Sequence, residues 1–151
     1  MEKPAQKRVL LVAVAAFAAA LVLFFFWLHA SLHNPVRTAL ADDAQSGQMQ
    51  WQLFSVEAGE ALSITGRAAY GDEGIRRFET RAALLYPDGT AYALPTRMVG
   101  SEQYFDNSCF LARCAVNRLP QGKAEIVLLF QSNSHKIAVH TGELVSIGGA
   151  A

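Results

Sequence analysis

Cys109 and Cys114 are the only cysteines, and the four residues between them, Phe110-Leu111-Ala112-Arg113, limit what the pair could do. Dithiol redox motifs usually place two residues between the sulfurs at a helix N-terminus, within a βαβ pattern that this chain lacks. A zinc site needs four ligands; downstream of residue 33 only His135 and His140 could join the cysteines, and their spacing does not match. In an oxidising compartment a disulfide is the default. Closing a loop of about six residues contributes roughly 2 kcal/mol by the chain-entropy model. The expectation is a structural Cys109–Cys114 bridge, with no metal and no cofactor.

Other reactive side chains point to no recognisable reaction. His29 and His33 lie four residues apart, on one helical face, but no third ligand accompanies them. They read as the polar end of a helix. Ser132-Asn133-Ser134-His135 puts hydroxyls beside an imidazole, yet between two apolar runs it reads first as a hairpin loop. No Gly-x-Ser-x-Gly elbow, His-Glu-x-x-His motif or Gly-rich phosphate cradle occurs. The adjacent acids Asp42-Asp43 and Asp72-Glu73 would point apart on a strand. No enzymatic activity is expected.

The positioning elements begin with the anchor. Val9 to Leu28 is an unbroken run of Leu, Val, Phe, Ala and one Trp, without a charge, amide, hydroxyl, Gly or Pro. Twenty helical residues span about 30 Å, the hydrocarbon thickness of a bilayer. Thirteen Leu, Val and Phe at roughly −0.3 to −0.6 kcal/mol each give an upper estimate of about −4 to −8 kcal/mol for insertion. A secretory signal has a shorter apolar region with a cleavage site close behind it. Here Ala39-Leu40-Ala41 lies eleven residues beyond Leu28, so an uncleaved signal anchor is expected.

Charge sets the orientation and excludes one partner class. The chain carries thirteen Lys and Arg against thirteen Asp and Glu. Residues 1–8 hold three of the bases and one acid, a net +2, which leaves ten against twelve, a net −2, for residues 29–151. The positive-inside rule then places the N-terminus in the cytoplasm and the rest outside, with Trp27 at the outer interface. Slightly acidic, with scattered bases, the outer part is a poor ligand for nucleic acid.

Asn34-Pro35 ends the helix and suits the start of a second short one over about 35–45. From Met49 the periodicity becomes strand-like. Gln50 to Leu53 and Leu62 to Arg67 alternate, with a turn at 57–60. Phe78, Thr80, Ala82, Leu84 and Tyr86 share one face and Arg77, Glu79 and Arg81 the other. Pro87-Asp88-Gly89 marks a hairpin, and Pro95 makes the returning strand an edge or bulged one. Ile126 to Phe130 is continuously apolar, as in a strand covered on both faces. Ile137 to Val139 and Leu144 to Ile147 read as two last strands around Gly142.

These features predict a mainly β chain. A stub (1–8) and one transmembrane helix (9–28) precede a juxtamembrane linker (29–47), a small antiparallel β-sandwich of Ig-like or jelly-roll-like type (48–147) and a tail (148–151). Its expected place is a bacterial inner membrane, N-in and C-out, with the domain in the periplasm. The expected role is contact, as an accessory, assembly or stabilising subunit of a larger envelope complex whose partners are the lipid bilayer and an integral membrane protein. Ala13, Ala16 and Ala20 would offer a close-packing helix face, and Tyr92, Tyr104, Phe105 and Phe110 an aromatic recognition patch. A periplasmic binding module or immunity-type inhibitor is the alternative, and a tethered hydrolase ranks below it.

Overall fold

The computed structural model describes residues 4–41, 46–71, 78–100, 108–132 and 135–148. Two compact units divide the chain, residues 1–33 and 34–151. The first contains one helix, α1, Pro4–His33. Arg8–Ala30 is long and apolar enough to cross a membrane, with a mean hydropathy of 3.0 and no residue buried within the molecule. The helix outlasts the apolar run and stops where Pro35 disfavours helical geometry at Asn34. In its last turn His33 Nδ1 lies 2.9 Å from the His29 carbonyl oxygen and donates to it, satisfying one of the acceptors that a helix end leaves open.

Two antiparallel sheets make up the second unit. Its strands are β1 Val36–Thr38, β2 Met49–Ala58, β3 Ala61–Tyr70, β4 Phe78–Leu85, β5 Ala91–Ala93, β6 Thr96–Val99, β7 Cys109–Ala115, β8 Gly122–Ser132 and β9 Lys136–Ile147. One sheet runs β1-β5-β4-β8-β9 and the other β2-β3-β7-β6. Their inward faces share a single core. Leu62 and Ile64 of β3 and Phe110 and Ala112 of β7 meet Ala82 and Leu84 of β4, Ile126 and Leu128 of β8, and Ile137 and Val139 of β9. The alternation anticipated on β4 is present: Thr80, Ala82 and Leu84 are buried while Glu79 and Arg81 are exposed.

At the centre of β8 the pattern is continuous for a reason. Ile126, Val127 and Leu128 are all fully buried. Val127 points away from the core, beside Ala83 of β4, and Ala83, Ala91, Ala93 and Ala138 on that same outer side are buried too. A strand covered on both faces has no position that favours a polar side chain.

Local chemistry fixes the corners. Tyr86 and Thr90 close the β4–β5 hairpin through Tyr86 N–H to the Thr90 carbonyl at 2.9 Å, with Gly89 at φ 81°. The chain then changes sheets at Leu94-Pro95. Leu94 N–H still donates to Ala82 of β4 at 2.8 Å, while the Pro95 carbonyl already accepts from Arg113 of β7 at 3.0 Å. Proline, lacking an N–H, fits a junction where only its carbonyl is used.

The single returning strand expected over 90–98 is thus two, Ala91–Ala93 and Thr96–Val99, in different sheets, because the proline breaks the ladder. Three further expectations need correction. Residues 36–38 form a strand, not part of a helix over 35–45: Val36 pairs with Ala93 and Thr38 with Ala91. Two β-branched residues beside the open edge of β5 outweigh the helix-start signal of Asn34-Pro35. Residues 137–139 and 144–147 belong to one strand, with an irregularity where Val127 pairs with His140 and Glu125 with Leu144. Gly142, at φ 72°, supplies that kink without a turn.

The disulfide is the third. Cys109 and Cys114 are both free and buried, on one continuous strand. Five residues at ~3.3 Å each separate them by about 16 Å, against a Cα separation of roughly 4.4–6.8 Å in a bridge. Being an odd number of residues apart, they also face opposite sides: Cys114 belongs to the core cluster and Cys109 does not.

Candidate interaction surfaces

Of the four aromatics expected to form a recognition patch, the two described ones, Tyr92 and Phe110, point inward. Phe110 is wholly buried, its ring packed over Gly66, where an added Cβ would come within 2.9 Å of Phe110 Cζ. Tyr92 packs on the core, edge-on to Tyr86 at 5.9 Å. Neither is a surface anchor, because each lies on an inward-facing position. Tyr104 and Phe105 lie outside the described residues.

A different apolar strip is exposed instead, on β2. This strand is the edge of the four-stranded sheet. Trp51 pairs with Ala68 and Val56 with Ile64, both fully buried, so Trp51 and Val56 stand on the inward face. Yet they are 37% and 38% exposed, as expected at the rim of a core that the opposing sheet does not fully cover. Between Leu53, opposite Gly66, and Ser55, opposite Thr65, Phe54 is the extra residue of a β-bulge, and it is 47% exposed. Outward-facing Ser55 is tied down by Thr65, hydroxyl to hydroxyl at 2.9 Å. Alternation marked β2 as a half-buried strand; the sheet order that leaves it at the edge was not readable from it.

α1 provides a second apolar surface. Ala13, Ala16 and Ala20 are exposed, and Ala13 and Ala16 line a shallow groove with Arg8, Val9 and Val12. Around them Val9, Val12, Phe17, Val22, Phe24 and Phe25 are 53–70% exposed.

The imidazoles are engaged locally. The His29 and His33 rings stack at 4.1 Å. His135 lies 4.6 Å from the Tyr70 ring, and its N–H donates to Ser132 Oγ at 3.1 Å, while Ser132 N–H donates to the His135 carbonyl at 2.9 Å. That is the geometry of a hairpin loop, with the serine hydroxyl turned to the backbone. His140 Nδ1 approaches Glu125 Oε2 at 3.2 Å, and Glu125 Oε1 accepts from Gly142 N–H at 3.1 Å. The carboxylate thereby braces the β9 irregularity. No group of three or more metal-ligating side chains comes together among the described residues; Asp42, Asp43, Asp72 and Glu73 lie outside them.

Two buried groups are electrostatically distinctive. Burial, then Tyr92 and Cys114, push the Tyr86 phenol above its ordinary value, and its hydroxyl donates to the Pro120 carbonyl at 2.7 Å. Burial likewise pushes the Cys114 thiol up, against a smaller lowering from Arg118. Both groups are kept protonated, the opposite of activation for nucleophilic chemistry. No protein-family model matches the chain, and neither the curated proteins nor the solved structures return a match.

Proposed function

We propose that this chain is a single-pass membrane protein of the bacterial inner membrane. Its β-sandwich domain, held N-in and C-out in the periplasm, works by contact as an accessory, assembly or stabilising subunit of an envelope complex. The observation that carries the reading is the pairing of two uncovered apolar surfaces. One is a helix with no residue of its Arg8–Ala30 span buried; the other is the edge strand whose Trp51, Phe54 and Val56 are 37–47% exposed. Lipid accounts for the first. A large apolar group at a sheet edge fits a partner protein better than water, and Trp is favoured at the centre of contact surfaces. The proposed occupant is an integral membrane protein in the same bilayer, since α1 confines this chain there. Orientation rests on the flanking charges alone.

Photo-crosslinking in native membranes tests this, with the reactive residue placed at Trp51, Phe54 or Ala16 and, as an outward-facing control, at Gln50. The expected result is an adduct with one integral membrane protein from 51 and 54, absent from 50. An adduct with a soluble protein would favour an immunity-type inhibitor. No adduct at either position, with migration as an isolated monomer in mild detergent, would overturn the reading.

A further inference from the structure

We propose that β2 pairs, edge to edge and antiparallel, with β2 of a second copy of this chain; this rests on the contact reading of that strand and names its partner. β2 is the outermost strand of its sheet, with no strand beyond it among the described residues. It runs for ten residues, against four in β6 at the other edge. An edge strand turns part of its N–H and C=O groups away from the sheet, which makes it a template for another strand. Lysine and proline commonly prevent this; β2 has neither, and Glu57 is its only charge. The start of the strand is closed, since the 3₁₀ turn Ser46–Gln48 lies against β9 and Met49 is buried. The stretch clear of that corner is Trp51–Ala58, exposed or half-buried throughout.

A two-fold axis between Phe54 and Ser55 pairs this stretch with itself. It sets Trp51 opposite the partner's Ala58, Gln52 opposite the partner's Glu57 and Leu53 opposite the partner's Val56, and every pair occurs twice, as in any isologous contact. Side chains opposite one another must share a face. Trp51, Leu53, Val56 and Ala58 stand inward, across from Ala68, Gly66, Ile64 and Leu62 of β3. Gln52 and Glu57 stand outward, across from Arg67 and Ser63. In a regular strand, a register centred between two residues would set inward positions against outward ones. The extra residue at Phe54 shifts the alternation and removes that conflict, so the bulge fits a strand carrying the same bulge. Apolar side chains then meet apolar ones along the open rim. The Gln52 amide donates to the partner's Glu57 carboxylate, a favourable cross-strand pair, and the only acid of the strand never faces another.

The test uses the full chain in native membranes, with Gln52→Cys and Glu57→Cys variants co-expressed and a mild oxidant added. Both substitutions fall on exposed, outward positions, where they leave the fold intact. Cys109 and Cys114 are 3% and 2% exposed and stay out of the reaction in the native state. The mixture should form a disulfide-linked dimer. Neither variant alone should, because a stagger of about five residues puts like positions roughly 17 Å apart, beyond the roughly 4.4–6.8 Å Cα separation of a bridge. Equal bridging in the single variants, or none in the mixture, overturns the second-copy proposal. An unbridged mixture whose positions 51 and 54 still crosslink to a different membrane protein overturns it while the contact reading stands. An unbridged mixture whose positions 51 and 54 crosslink to nothing overturns both.

Discussion

Cys109 and Cys114 face opposite sides of the same strand: Cys114 sits across from Leu62 in the core and Cys109 across from Arg67 on the outer face. The unbroken pairing of β7 with β3 is what separates them. A bridge would require the strand to fold back on itself, losing the ladder between residues 109 and 115 and exposing Phe110.

Alkylation should therefore label two thiols per chain in denaturant without reductant, and neither in the native state. A chain that takes up label only after reduction would contradict the β7 register. Cys114→Ala removes a buried sulfur and should cost about 1 kcal/mol, measured by denaturant midpoint, whereas loss of a true bridge would cost about 2–5 kcal/mol.

Gly66 is required by close approach. Its φ is not positive, but an added Cβ would stand 2.6 Å from the Gln52 carbonyl oxygen and 2.9 Å from Phe110 Cζ. The oxygen belongs to the β2–β3 ladder and cannot easily yield. Gly66→Ala should destabilise by about 1–3 kcal/mol, with β2 amides next to the bulge losing hydrogen-exchange protection first.

Alkaline pH should weaken the fold through Tyr86 and Cys114. Both are acids whose folded pKa lies above the unfolded value of 10.0 and 9.0 respectively. The stability each contributes is complete below its unfolded pKa. It is lost as pH rises through the folded value, because the unfolded chain releases those protons first. Tyr86→Phe should flatten the alkaline limb of a stability–pH curve. At neutral pH it should lower stability by about 1 kcal/mol through the lost bond to Pro120.

Glu125 braces the irregular middle of β9 through Gly142 N–H and His140. Glu125→Ala should cost about 0.5–1.5 kcal/mol and raise exchange at Gly142, leaving exchange in β2 and β3 unchanged. Exchange at Gly142 no faster than in wild type would show that the kink holds itself.

Trp51→Ser with Phe54→Ser should lower stability by about 1–3 kcal/mol, read from the denaturant midpoint, since the two side chains are 37% and 47% exposed and only their buried parts are lost, leaving the domain folded. The same pair should abolish the crosslinked adduct from native membranes. Loss of folding instead of loss of the adduct would place these residues in the core.

By itself the sequence determined the elements that depend on local pattern. Twenty uncharged apolar residues must form a membrane-length helix wherever they end up. Alternation at Thr80, Ala82 and Leu84, the Pro87-Asp88-Gly89 turn and the doubly apolar run at 126–130 follow from the two-residue strand period and from turn chemistry. What needed the tertiary structure was everything that depends on neighbours distant in sequence. A strand at 36–38 exists because Ala91 and Ala93 offer an edge. Phe110 is core, and Cys109 is not, because β7 lies between β3 and β6 in one register. Trp51 and Val56 are exposed because sheet order leaves β2 outermost. Spacing along a chain specifies which way a side chain points from its own strand; only the packing of one sheet on another decides whether anything is there to meet it.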